Sequence, residues 1–274
     1  MAIIIRGKTI IGPRPVSVPL LLDTYPNAEV AYSLRKLRTA YTGSAIRVRR
    51  LSDNTEQDIG FVGNDLDTTS LLSFVGASNG FITTWYDQSG NDNDAGNITA
   101  LRQAQIVSSG NLMTDPDTGK ISAWWTNDGY FLLTPLSTVQ EMYHYMVFNR
   151  VNNIFTNAGL VVSNSTTATM LRWLGDNTIR TYLNNPIIHA TDATLGPNLI
   201  TTLRDNTNTV KVFKNTTALT TGVASTIGSP LTTWGIANGS YNAGYHSELI
   251  HWNSNQEANR TSIETNANNY WNIY

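Results

Sequence analysis

The stretch Ile82-Thr83-Thr84-Trp85-Tyr86-Asp87-Gln88-Ser89-Gly90-Asn91-Asp92-Asn93-Asp94 changes character halfway along. Its first half is β-branched and aromatic, the composition of a pleated strand that begins at Phe81. Its second half is Gly, Asn and Asp, where short polar side chains fold back onto the backbone and build a tight loop. Alternation along the strand sets Trp85 and Asp87 on one face and Tyr86 and Gln88 on the other, so one pair is available to a ligand while the other packs. Asp87 is the expected brace of the loop, accepting backbone amides. The loop is also rich in oxygen ligands for Ca²⁺. It lacks the Gly and Glu positions of an EF-hand, and Asx-type hydrogen bonds account for it without a metal.

Upstream, residues 2 to 11 read as a short strand, and Pro13, Pro15 and Pro19 hold the next segment extended. Together they suggest an N-terminal arm and linker over 1–27, followed by one domain over 28–274. Asn27 is placed to cap a helix reaching about Tyr41, with Val30, Ala31, Leu34, Leu37 and Tyr41 at helical spacing. Ala45 to Leu51 reads as a strand. Asp67 is placed to cap a short helix carrying Leu71, Leu72, Phe74 and Val75.

Downstream, strand-like runs at 121–125, 130–133, 142–149, 159–163, 169–174, 178–183, 199–204, 209–214, 231–236 and 245–252 are separated by Asn-, Asp- and Gly-rich breaks. Two hairpins are expected, one turning at Gly175-Asp176-Asn177 and one at Asp205-Asn206-Thr207-Asn208. Ser254 and Glu257 have capping-box spacing and predict a final helix that carries Ile263 inward and ends near Tyr270. Such a series points to an all-β fold of two antiparallel sheets packed face to face.

Composition agrees. Of 274 residues, 36 are Thr and 30 are Asn, which favour strands and turns over helix interiors. The chain has no Cys, which excludes disulfides, thiolate metal sites and cysteine nucleophiles. Nine basic residues against two acidic ones fill positions 1 to 50, although the whole chain carries a net charge of -2. A basic front on an acidic body suits docking to an acidic neighbour, another copy of the chain included. The overall acidity and the lack of a basic, aromatic-interleaved motif argue against nucleic-acid binding. The opening apolar run is too short for a signal peptide or a membrane span. Five Asn-x-Ser/Thr triplets, at Asn97, Asn164, Asn215, Asn238 and Asn259, matter only in a secreted eukaryotic protein.

The Tyr86-Asp87-Gln88-Ser89-Gly90-Asn91 run resembles the signature of the catalytic domain of α-L-arabinofuranosidase B, a concanavalin A-like sandwich. The similarity extends to Ala31-Tyr32-Ser33-Leu34-Arg35-Lys36-Leu37 and to the closing strand Glu248-Leu249-Ile250-His251-Trp252 with its following helix. The resemblance therefore implies a concanavalin A-like jelly-roll β-sandwich with a few short helices and an extended N-terminal arm. Sandwiches of this type also resemble modules of bacteriophage virion proteins. Retaining glycosidases need two carboxyl groups about 5 to 5.5 Å apart. The resemblance implies a nucleophile at Leu183, ahead of Asn184-Asn185, and an acid/base at Asn238 or Gly239, none of which can serve. The family's cysteines are missing as well.

From these residues the expected protein is a non-catalytic structural or adhesive subunit of a phage particle, assembled in the host cytoplasm. The alternatives are a glycoside hydrolase of α-L-arabinofuranosidase type and a secreted location. Ile3, Ile4, Ile5, Arg6, Pro13 and Pro15 form the assembly arm, whose partners are other virion proteins or copies of the chain. Sugar rings stack on aromatic faces while amides and carboxylates bond their hydroxyls, so Trp85, Tyr86, Asp87, Gln88, Asn91, Asp92, Trp173 and Trp234 are glycan-binding candidates. Trp124 and Trp125 share the aromatic character, though core packing also uses such rings. His144, His189, His246 and His251 lack metal-ligand spacing and read as packing or surface residues. No cofactor is expected, Ca²⁺ being the one metal considered.

Overall fold

The computed structural model describes residues 3–5, 8–10, 19–125, 129–136, 140–151, 158–162, 168–173, 177–183, 185–192, 194–223, 231–237 and 244–274. Side chains are described within that set except at 3–5, 8–10, 158–162, 168–173, 182, 183, 185, 186, 231 and 235–237.

Strand Gly244–Trp252 organises one layer. It pairs antiparallel with Met142–Arg150 on one side, and on the other with Val30–Ser33 and Ala123–Trp125. Gly196–Arg204 and Thr209–Lys214 extend the layer beyond Met142–Arg150. The opposite layer runs through Tyr130–Leu136, Leu231–Ala237, Ala158–Val162, Ala168–Trp173, Thr178–Leu183 and Asn185–Thr191. Gly80–Trp85 ties the layers together, because its neighbour Ala104–Ser108 pairs with Ala123–Trp125 and its neighbour Ala95–Gly96 pairs with Tyr130–Leu136. Between the layers lie Trp85, Trp125, Trp234, Phe131 and Tyr32, whose rings contact one another edge-on, tilted or stacked. These large rings exclude water from the space between the sheets, and burial of that apolar area is the dominant favourable contribution to folding.

Two expected elements are present for the reasons given. Asp67 Oδ1 accepts the Ser70 amide at 2.9 Å and starts the helix Thr68–Val75, which buries Leu71 and Val75. Asp205 Oδ1 accepts the amides of Thr207 and Thr209, both at 2.9 Å, while Asn208 takes a left-handed φ of 66° and closes the hairpin.

Other expectations are corrected. The helix predicted from Asn27 to Tyr41 is instead strand Val30–Ser33, with Asn27 at φ 64°. All four strand residues are buried, since the sandwich core covers one face and the C-terminal helix region the other, and burial on both faces imitates helical spacing. The strand expected over 2 to 11 is a hairpin of Ile3–Ile5 with Lys8–Ile10. Arg6, Pro13 and Pro15 lie outside the described residues. Leu21 and Leu22 are already core residues, so the packed domain begins ahead of Ala28. The capping box does not form. Glu257 binds Lys211, its amide donates to Asn255 Oδ1 at 2.8 Å, and a short 3₁₀ turn precedes the helix Arg260–Trp271. Ile263 points into the core as expected.

Candidate functional site

The strand predicted from Phe81 ends at Trp85, and from there the loop turns inward rather than continuing the alternation. Asp87 and Gln88 are both buried. Gln88 Oε1 accepts the Leu37 amide at 2.8 Å, and Nε2 donates to the carbonyls of Ser33 and Arg35 at 3.0 Å each. Asp87 Oδ1 accepts the amides of Ala31 at 2.8 Å and Ser89 at 2.9 Å, while Oδ2 accepts the Ser89 hydroxyl at 2.6 Å and the Asn93 amide at 3.2 Å. Burial raises the Asp87 pKa, against the opposing pull of those donors. Gly90 sits at φ 100° with the Arg38 guanidinium 2.7 Å from where a Cβ would stand, so only glycine fits. Arg38 Nη1 in turn donates to the Ser89 carbonyl at 2.7 Å.

This geometry sorts the glycan-binding candidates. Trp85 and Trp234 are wholly buried core rings, and a ring with no exposed face cannot stack on a sugar. Asp87 and Gln88 spend their polar atoms on the chain itself. Tyr86 is half-buried and donates to Asp58 Oδ1 at 2.7 Å, with its pKa pushed up to about 12 by burial and by that carboxylate. Asn91 and Asp92 remain exposed, and Asn91 Nδ2 donates to the carbonyls of Ala28 and Glu29 at 3.0 Å each. The Trp173 side chain lies outside the described residues. All four histidines are buried.

Beside the loop opens a cleft of about 490 Å³, lined among others by Leu22, Glu29, Arg38, Gly90, Asn91 and Asn253. Glu29 is its carboxylate. Its Oε2 lies 3.5 Å from His251 Nε2, which is 3.0 Å from Asn253 Oδ1. A carboxylate, a guanidinium and two amides around one cleft can bond several hydroxyl groups at once, which is how a polar sugar is held. Sequence reasoning missed Glu29, Arg38 and Asn253. The available signal was that Glu29 is one of only two acids among the first fifty residues, amid many cations. Among the described residues no group of three His, Asp or Glu side chains is placed to hold a metal.

Four other arginines of the front segment have partners within the chain. Arg35 pairs with Glu248, Arg47 with Asp58 and Arg50 with Asp53, while Arg49 donates to Gln103 and Asn54. Two acids in the second half are also committed. Asp192 pairs with Lys214, and its pKa is lowered because Lys214 and Thr194 outweigh the raising effect of burial. Asp205 closes its hairpin. Leu183 is the last residue of its strand and pairs with Asn185. The side chain of Leu183, and Asn238 and Gly239 altogether, lie outside the described residues.

Against solved structures, the chain superposes on a GH54 α-L-arabinofuranosidase soaked with a cyclic sulfate inhibitor, with a TM-score of 0.64 and 14% identity over 90% of this chain. The fold is a concanavalin A-like sandwich. A second structure, an arabinofuranosidase complexed with arabinofuranosyl-α-1,2-xylobiose, gives a TM-score of 0.62 and 15% identity, also over 90% of this chain. The chain spans 63% of the length of each of these proteins. The family model "Alpha-L-arabinofuranosidase B, catalytic" matches residues 24–119 of the sandwich, which include the signature loop and most of the cleft wall. No curated protein matches the sequence. These findings overturn the expectation of a non-catalytic structural subunit of a phage particle. The matched family model describes a catalytic domain, and the superposed structures are glycosidases. The expectation of no enzyme rested on matching short sequence patterns to catalytic positions.

Proposed function

We propose that this sandwich is a glycoside hydrolase domain acting on α-L-arabinofuranosides through a double displacement that retains anomeric configuration. The observation that carries this reading is the catalytic-domain match over residues 24–119, because the matched segment builds the cleft that holds Glu29, Arg38 and Asn91. In such a reaction one carboxylate attacks the anomeric carbon while a second protonates the departing oxygen, then deprotonates the incoming water. Glu29 is assigned the proton-transfer role. Glu29 lines the cleft, its side chain is 16% exposed with Oε2 beside His251, and a positioned general acid contributes about 10²- to 10⁴-fold to the rate.

The test uses 4-nitrophenyl α-L-arabinofuranoside, the compound soaked into a Glu-to-Gln mutant of a GH54 α-L-arabinofuranosidase. The expected result is 4-nitrophenol release above the protein-free rate, reduced about 100-fold or more by Glu29→Gln at an unchanged melting temperature. A folded protein with no release overturns the activity. Release undiminished in Glu29→Gln transfers the proton role to another acid.

A further inference from the structure

At the opposite end of the closing strand, the sheet carries a row of side chains on its outer face. Gln105 stands opposite Trp124, Trp124 opposite Tyr245, and Tyr245 opposite Asn149. Directly opposed residues share a face, so these four side chains form one line across four strands, about 14 Å long at the usual spacing of ~4.8 Å. Their sequence neighbours confirm the direction, since Trp125 and His246 point the other way and contact Trp234 in the core. Trp124 and Tyr245 are half-buried, with ring centroids 4.6 Å apart at 49°. Together they form a partly exposed aromatic shelf on the outer face of the sheet.

The shelf is flanked by hydrogen-bonding groups. Gln105 is half-buried at one end. At the other, the wholly buried Asn149 donates from Nδ2 to Asp115 Oδ1 at 3.0 Å and to Asp117 Oδ2 at 2.8 Å. Its Oδ1 has no hydrogen-bond partner, an expensive arrangement for a buried acceptor. Asp115 Oδ1 also accepts the amides of Asp117 and Thr118, so Asp115 is committed to its turn. Asp117 is exposed and available as an acceptor.

We infer that Gln105, Trp124 and Tyr245 of this row, with Asp117 beside its Asn149 end, form a second saccharide-binding surface that holds the main chain of a neutral polysaccharide. Aromatic faces pack against the C–H faces of sugar rings, and the flanking amide and carboxylate accept or donate to the hydroxyls. An anionic ligand fits poorly, since Asp115 and Asp117 stand at one end of the row. The shelf lies about 26 Å from the Glu29 cleft, measured as eight residues of extended strand from Tyr245 to Asn253. The choice of a pentose polymer rests on the arabinofuranosidase reading, while the shelf itself does not.

The experiment is affinity electrophoresis of the whole chain through gels containing soluble arabinoxylan, alongside turnover of 4-nitrophenyl α-L-arabinofuranoside and the melting temperature. The wild-type protein should be retarded. Trp124→Ala should weaken retardation at least tenfold and Asp117→Ala severalfold, both with turnover unchanged. If Trp124→Ala lowers the melting temperature, the exposed Asp117→Ala decides the matter. No retardation of the wild-type protein overturns the inference, as does retardation lost in Glu29→Gln but kept in both shelf variants. Retardation that depends on Trp124 in a protein without turnover upholds the shelf and rejects the enzyme reading.

Discussion

The two faces of strands Met142–Arg150 and Gly244–Trp252 are both buried, and they treat polar groups in opposite ways. On the outer face, under the C-terminal helix, Glu248 Oε2 accepts from Arg35 Nε at 2.7 Å and from the Ser33 hydroxyl at 2.6 Å. Its Oε1 accepts from Arg35 Nη2 at 2.9 Å and from the Tyr145 hydroxyl. Arg35 Nη1 reaches on to Asn266 Oδ1 at 2.8 Å. On the inner face, neither ring nitrogen of His144 has a partner, nor do Thr202 Oγ1 and Arg204 Nε and Nη1 on the adjacent strand. The outer face keeps charge inside the protein by matching each donor with an acceptor. The inner face holds His144 and His246 neutral instead, because desolvation makes their charged forms costly. Burial lowers the pKa of His144, aided by His251, and pushes that of His246 down to about 3.

The strongest way to break this comparison is Glu248→Ala, which leaves the Arg35 guanidinium buried and unpaired. It should cost about 3–5 kcal/mol in chemical denaturation. A loss below 1 kcal/mol would show that the network is solvated. Asp87→Asn, which disturbs a carboxylate accepting from four donors, should cost about 1–3 kcal/mol and lower the melting temperature. An unchanged melting temperature would remove Asp87 from its bracing role.

Acid sharpens the contrast. Histidines whose folded pKa is depressed contribute stability that is complete above their unfolded value near 6.5 and is lost as pH falls toward the folded value. His144 and His246 should each withdraw about 1.4 kcal/mol per pH unit below that point. Burial tends to raise the Glu248 pKa, but Arg35, Ser33 and Tyr145 outweigh it and lower the pKa. Its contribution is therefore complete above the ordinary carboxylate range and disappears only in stronger acid. Stability measured from pH 7 to 5 should thus fall, and should fall less in His144→Leu. At pH 7 the same substitution should leave stability within about 1 kcal/mol or raise it, since it removes two unpartnered polar atoms from an apolar site. A marked loss at pH 7 would mean the ring has a partner.

Much of the sandwich could be read from local chemistry. The Asp67 cap, the Asp205 turn and the apolar closing strand each announce themselves within a few residues. Strands Glu56–Ile59 and Asn185–Thr191 did not, the first because three of its four residues are exposed and polar, the second because Pro186 argues against a strand. The helix expected after Asn27 failed because strand Val30–Ser33 obtains its partners from residues 248–251, too distant in sequence to be inferred locally. The site was harder still. Trp85 and Asp87 stand out in the sequence because they build the core and the loop, whereas Glu29 and Asn253 meet at one cleft from opposite ends of the chain.

The central claim, that carboxylates of this chain perform glycoside hydrolysis, is tested most directly by intact-mass spectrometry after incubation with an α-L-arabinofuranose-configured cyclic sulfate. A nucleophilic carboxylate attacking the anomeric carbon opens the sulfate ring and becomes esterified, and the freed sulfate monoester stays on the sugar. The account predicts one adduct per chain, mapped by peptide digestion to a single Asp or Glu. An unmodified mass in a protein with a normal melting transition would contradict it.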